Sequence, residues 1–315
     1  MSGKKIITVF GATGNQGGSI VSTFLNDPKL KNGWAVRGVT RDVSKESAKK
    51  LSEQGAEVVA ADMNDKASLV KAMSGSDTVF AVTNYWENPS IELEEQQGRN
   101  LADAAKESGV NHFIWSSLLD IKKLTNGKLP HVYHFDGKAH VEEYVRSLDI
   151  PATFFMPGYY MSNITGMQFK PSPPDNARTF SLPISAQSPI PLYDTVDTGK
   201  YIKAIVLNKD KLLGQRFLGA STYLTGEQIV DSFKKLYPED GQTARYFQLS
   251  EEMFRGFMKG TPEFIIEEFY ENMVLMQDYG YYGGASLDET HKYIDDHLTT
   301  LTEHMKASQQ FADLK

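Results

Sequence analysis

The stretch Val9-Phe10-Gly11-Ala12-Thr13-Gly14-Asn15-Gln16-Gly17-Gly18 decides the fold. It closes an apolar run over residues 5–10 and opens a helix-like segment over residues 15–25. The spacing is G-x-x-G-x-x-G. Gly11 allows a tight turn out of a strand, Gly14 lets the backbone approach a pyrophosphate, and Gly17 lets the helix pack close to the strand. The first N–H groups of such a helix are unpaired and carry partial positive charge, which suits phosphate. A plain glycine-rich turn needs neither the strand before nor the helix after. The expectation is therefore a dinucleotide site.

The sequence on either side agrees. Short apolar runs at 35–40, 56–61, 78–83, 112–116 and 152–156 alternate with helix-like stretches at 44–54, 68–73, 91–108 and 138–147. Near-continuous apolar runs suit strands covered on both faces. Strand–helix alternation implies right-handed βαβ units, and hence a Rossmann-type doubly wound parallel sheet. The rhythm breaks after Pro157. Residues 170–191 hold six prolines and no helical period, which reads as an extended loop or a small-sheet excursion. The expected organisation is a dinucleotide domain over 1–158 and a second, smaller α+β domain over 159–315, with some segments returning to the main sheet.

Composition narrows the function classes. The chain has 315 residues, 40% hydrophobic and 23% charged, which excludes a disordered or fibrous chain. The net charge is −7, which argues against direct nucleic-acid binding. There is no cysteine, so no disulfide, thiolate metal site or Cys nucleophile. His112, His131 and His140 have no ligand spacing with carboxylates. His291, His297 and His304 fall on a surface helix, so no metal site is expected. The apolar run at 6–10 is too short for a secretory or membrane segment, which need about 7–15 and about 20 residues. A cytoplasmic location is expected, with the nucleus left open.

The end of the second strand sets the dinucleotide. An Asp or Glu there takes the ribose 2′-OH of NAD, and an Arg favours the 2′-phosphate of NADP. Arg41 stands at that place with Asp42 beside it. Arg41 has the fork that suits a phosphate, and NADP is expected. Asp62, after the third strand, either accepts from an adenine amino group or caps the next helix.

At this point the motifs GATGNQGGS, TNYWE (83–87), Q-G-x-N-L-A-D-A-A (97–105), IKKLT (121–125) and HFDGK (134–138) resemble the NmrA-like family. That family is an atypical branch of the short-chain dehydrogenase/reductases, and the likeness is nearest to its redox sensor proteins. The resemblance implies NADP contacts at Gly11, Ala12, Thr13, Gly14, Asn15, Gln16 and Arg41. Further along the cleft it implies Thr83, Asn84, Tyr85, Lys138, Tyr159, Tyr160 and Asn163. The lysine that reaches the cofactor in the family's redox sensor is Gln96 here. The family also suggests a protein partner, such as a transcription or metabolic regulator, and leaves a homodimer open.

Turnover is a separate question. Active short-chain dehydrogenases use Y-x-x-x-K, in which the tyrosine donates a proton and the lysine holds the ribose. Here Lys138 is present, but His134 stands four before it and Tyr133 five before, about 140° away around a helix. His134 can donate a proton near neutrality, or it only packs. Ser117, next to Ser116 at the end of the fifth strand, either orients substrate or caps the following loop. Tyr85 and Trp86 either wall a nicotinamide pocket or join an aromatic core. Tyr279 to Gly284 reads as a loop that lines the cleft or meets a partner. Two functions follow. One is an NADP(H)-binding regulator responding to the NADPH/NADP⁺ ratio. The other is an NADPH-dependent reductase of a small carbonyl, enone or imine, using Lys138 with His134 or Tyr133.

Overall fold

A computed structural model of the chain describes residues 3–315. In chain order the first half forms β1 (Lys5–Val9), α1 (Asn15–Asn26), β2 (Trp34–Thr40), α2 (Glu46–Glu53), β3 (Glu57–Ala60) and α3 (Lys66–Met73). It continues with β4 (Thr78–Ala81), α4 (Ile91–Glu107), β5 (His112–Ser116), α5 (Ile121–Leu124), α6 (Tyr133–Ser147) and β6 (Ala152–Pro157). The sheet order is β3-β2-β1-β4-β5-β6, with strand Arg216–Gly219 outside β6. Every pairing is parallel. The strand order reverses between β1 and β4, and a crevice opens beyond the carboxyl ends at that point.

The apolar runs are continuous because both faces are covered. All residues of β4, β5 and β6 are buried. Alternate side chains feed two cores. Ile7, Val9, Phe80 and Ile114 pack with Ile20 and Phe24 of α1. Val79, Ala81, Phe113 and Trp115 pack with Leu69 of α3, Leu101 of α4 and Val141 of α6. Asp65, Ser90 and Asp120 cap α3, α4 and α5 with their own side chains. So it is Asp65, not Asp62, that caps the helix after β3.

A third core, in which Phe169, Phe180, Phe233 and Phe311 of the second half meet, also takes in Ile121, Val132, Phe135 and Met156 of the first half. The proline-rich stretch folds into short strands of two small sheets. One sheet orders Thr222–Leu224, Ile190–Tyr193 and Tyr159–Tyr160; the other orders Arg245–Gln248, Ala177–Leu182 and Phe169–Ser172. The chain crosses back twice. Helix Thr198–Leu207 packs on α1, and strand Arg216–Gly219 completes the main sheet. Lys203 on that helix is clasped by Asp27 at 2.6 Å and Asp296 at 2.9 Å. Among the described residues no helix is long and apolar enough to cross a membrane.

Candidate functional site

A cleft of about 1890 Å³ runs across the carboxyl ends of β1, β2 and β4 and under the second half. Gly11, Thr13, Gly14, Asn15, Gln16, Gly17, Arg41, Asp62, Thr83, Asn84, Tyr85, His134, Lys138, Tyr159, Tyr160 and Asn163 all line it. Ala12 does not. Its methyl is fully buried beneath the turn, facing Gly38 of β2. Tyr133 and Ser117 are also absent from the wall, for reasons given below.

The glycine turn is built from backbone. Gly11 has φ +66°, in the left-handed region. A Cβ on Gly17 would lie 2.2 Å from the carbonyl oxygen of Gly11, so only glycine lets α1 approach β1 this closely. Gly14 is the N-cap of α1, with no side-chain cap and no acidic residue in the first turn. Unlike α3, α4 and α5, this helix keeps its first N–H groups and its dipole free for an anion. Gln16 braces the turn: its amide donates to Tyr160 Oη at 2.9 Å and accepts from Ser116 Oγ at 3.0 Å.

Beyond β2, Arg41 reaches across the mouth and pairs with Glu87 at 2.7 Å. Asp42 does not compete for that position. Its carboxylate accepts from the N–H and Oγ of Ser44, which hold it below the usual carboxylate range. Lys45 adds a second cation to the wall. Asp62 accepts from the backbone and side-chain nitrogens of Asn64. On α4 it is Gln97, not Gln96, that faces the cleft; Gln96 is exposed and bonded to Asn100.

Lys138 is buried. Its Nζ donates to Thr83 Oγ1 at 3.0 Å and to Glu94 Oε1. Thr83 also donates to Glu94, whose other oxygen is buried without a partner among the described residues. The lysine charge is thus paired inside the wall.

His134 sits one turn before Lys138 on the cleft side of α6. Its backbone N–H and Nδ1 both bond Glu268 Oε1, at 2.7 and 2.6 Å. Glu268 comes from helix Glu263–Asp278 and is fully buried. A carboxylate only accepts, so Nδ1 carries the proton. The other ring nitrogen, Nε2, has no hydrogen-bond partner among the described residues, and His134 lines the cleft. Glu268 also accepts from Tyr85 Oη at 2.8 Å, and burial together with this bond pushes the Tyr85 phenol far up. Tyr85 is therefore a fixed donor to Glu268 with its ring in the wall. Trp86 is partly exposed, lies flat on Phe269 at 4.8 Å and contacts His134 at 4.9 Å. These aromatics form cleft wall, not closed core.

Tyr133 is the first residue of α6, so the helical offset from Lys138 applies, and its ring packs edge-on to His131. The position of the Y-x-x-x-K tyrosine, four before Lys138, is taken by His134. Ser117 is fully buried and donates to Glu142 Oε2 at 2.6 Å, which removes it from any substrate. Asp136, on the same helix, accepts from the N–H groups of Ile121 and Lys122, and burial pushes its carboxyl up to about 6. His131 does have carboxylate neighbours after all. Glu267 and Glu271 lie beside it, but Glu271 accepts from His131 N–H and Nδ1, and Glu267 accepts from Arg255. His304 is not a surface residue either; it bridges Asp194 and Thr165. Tyr281 and Tyr282 are buried, with Tyr281 in the cleft wall and Tyr282 bonded to Met156 O.

Sequence reasoning missed Glu94, Gln97, Glu268 and Phe269. The available signal for Glu268 was a glutamate set on the apolar face of helix Glu263–Asp278, between Ile265 and Met273.

A Rossmann sheet with an uncapped helix N-terminus at its switch point defines a nucleotide-binding protein. The pattern of the NmrA-like family matches residues 3–305, and the chain belongs to that family. An NmrA-like family domain-containing oxidoreductase of Malbranchea aurantiaca is 31% identical over 264 residues, covering 79% of this chain and 76% of the relative. An NmrA-like family domain-containing protein of Dictyostelium discoideum is 30% identical over 240 residues, covering 74% and 77%. Among solved structures, the negative transcriptional regulator NmrA in complex with NADP has a TM-score of 0.79 at 23% identity, covering 96% of this chain and 94% of that one. The NADPH-dependent quinone oxidoreductase QOR2 of Escherichia coli, complexed with NADPH, has a TM-score of 0.74 at 22% identity, covering 95% and 98%.

Proposed function

We propose that the chain binds NADP(H) in this cleft and reduces an uncharged carbonyl, enone or imine. The observation that carries the reading is the His134–Glu268 pair: an imidazole in the cleft wall, fixed at Nδ1 by a fully buried carboxylate, with no partner for Nε2 among the described residues. The free N–H groups of α1 suit the pyrophosphate. Arg41 and Lys45 suit a 2′-phosphate. When bound, the dihydronicotinamide supplies the hydride. His134 would give a proton from Nε2 to the acceptor oxygen or nitrogen while the acceptor carbon received the hydride and its electron pair. Nδ1–H stays on Glu268 throughout, so the ring keeps its orientation as it loses the proton. Lys138 stays paired with Glu94 and Thr83 and orders this part of the wall. The oxidoreductase names carried by relatives support this reading.

The test is NADPH consumption at 340 nm against carbonyls, enones, imines and quinones. His134→Gln keeps a donor for Glu268 but delivers no proton. It should lower kcat about 100-fold and leave the NADPH Kd within about twofold. A flat trace across the panel, or a variant as active as the wild type, would overturn the proposal.

A regulatory reading has one observation of its own, the Arg41–Glu87 pair across the groove. A 2′-phosphate on Arg41 releases Glu87 and with it the Tyr85–Glu87 turn. A sensor of the NADPH/NADP⁺ ratio must bind the two forms differently. Equal affinities and identical scattering profiles for the two complexes would end that reading.

A further inference from the structure

We infer that the cleft holds a second compartment built for a planar, uncharged, multi-ring acceptor. The inference rests on the reductase reading and names its substrate class. Three observations lead to it.

The first is size. A site for one small molecule occupies about 300–1,000 Å³. This cleft, at about 1890 Å³, has room for a dinucleotide and a second ligand.

The second is the chemistry of the far wall. Phe247, Met253 and Phe257 line the cleft and are 42%, 42% and 74% exposed. Phe254 and Met258 extend the same apolar surface. Large apolar side chains gathered this way mark a binding surface. The charged groups on this side are Lys170, which is exposed, and Arg245, which is held by both oxygens of Asp175. The other side chains of this wall, from Ser172 and Thr179 to Leu249 and Met258, are uncharged, which favours an uncharged ligand.

The third is how the wall is fastened. Helix Glu251–Phe257 has no buried residue. Polar and aromatic contacts on one side hold it. Arg255 pairs with Glu251, Glu263 and Glu267, and Phe254 packs on Tyr270. On this flap helix the Met253 and Phe257 side chains have no aromatic or hydrogen-bond partner among the described residues, and a thioether makes favourable contacts with aromatic rings. The compartment is continuous with the reaction site. His134 touches Trp86, and Trp86 stacks on Phe269, which lines the same wall. An aromatic ligand lying along Phe269 and Trp86 reaches the His134 end with its electrophilic atom, and its remaining rings cover the flap helix.

The experiment uses the full chain saturated with NADP⁺ and two probes. Phenanthrene has the shape but no hydride-accepting group, and its binding is read by fluorescence titration. Turnover is read as kcat/KM for 9,10-phenanthrenequinone and for 1,4-benzoquinone with NADPH. Phe257→Ser and Met253→Ser change exposed residues, and a melting curve checks their fold. Each should weaken phenanthrene binding about tenfold and lower kcat/KM for the three-ring quinone about tenfold. The benzoquinone value should stay within about twofold. Phenanthrene binding that depends on Phe257, with neither quinone turned over, supports the compartment and refutes the reductase reading. Wild-type protein that does not bind phenanthrene refutes the compartment. So do variants that bind it unchanged, or equal losses for the two quinones. A Phe257→Ser variant that sediments as a monomer where the wild type is a dimer also refutes it, because a second copy would then cover the flap.

Discussion

The two walls of the cleft are made in different ways. The wall at the ends of β1 and β2 is backbone: a left-handed Gly11, a Gly17 with no room for a Cβ, and the bare first turn of α1. Its parts lie within ten residues of one another. The opposite wall is side chain. Glu268 meets His134 across 134 residues of sequence and Tyr85 across 183. Its flap helix buries nothing of its own. A backbone site tolerates almost no substitution at its close approaches. A side-chain site depends on pairs, so a conservative change in one partner is enough to alter it.

The largest effect should separate the walls directly. Gly17→Ala puts a methyl 2.2 Å from the Gly11 carbonyl oxygen and 2.6 Å from its carbon, so strand and helix must part. NADPH affinity should fall more than about 100-fold, with a lower melting temperature. Gly256→Ala, in the flap helix, meets nothing within 4 Å and should leave both unchanged. Fluorescence titration and melting of the two variants check this. Near-wild-type binding in Gly17→Ala would break the contrast.

Next comes Glu268→Gln, which keeps the shape of the far wall and removes its charge. The amide no longer requires a proton on His134 Nδ1, so the ring can take the other tautomer. kcat should fall about 10- to 100-fold while the NADPH Kd holds. A purely structural Glu268 would lower the melting temperature and leave kcat of the folded variant, and its response to His134→Gln, unchanged.

This contrast also explains what could be read from the sequence. The glycine turn, the strand–helix rhythm and Arg41 were legible because each is local and each needs a particular residue type at a particular spacing. Lys138 and His134 were legible as a pair because helical geometry relates positions four apart. Glu268 was not, because a buried carboxylate shows only as one more glutamate until its partner is known. Tyr133 and Ser117 read as candidates because spacing does not say which way a side chain turns. The helix start at Tyr133 and the bond from Ser117 to Glu142 decide both against the cleft. That some second-half segment returns to the main sheet was legible from the strand-like run at 216–220, but its place beside β6 was not, because a four-residue edge strand does not specify its partner.

The smallest effect tests whether the backbone wall also has a side-chain partner. Arg41 and Glu87 are 63% and 40% exposed, and an ion pair so open to water contributes about 0–1 kcal/mol. A 2′-phosphate brings more charge to the same guanidinium and can take both prongs of its fork. Arg41→Ala should therefore weaken NADPH about tenfold and NADH less than about twofold. Glu87→Gln works in the opposite direction. It removes the internal anion that a 2′-phosphate must displace, and should tighten NADPH about two- to fivefold with NADH unmoved. Titration of both nucleotides against both variants measures four affinities. Equal losses for NADPH and NADH in Arg41→Ala would assign Arg41 to the shared part of the dinucleotide. No gain in Glu87→Gln would mean that the pair opens without cost and that the selectivity rests on Arg41 and Lys45 alone.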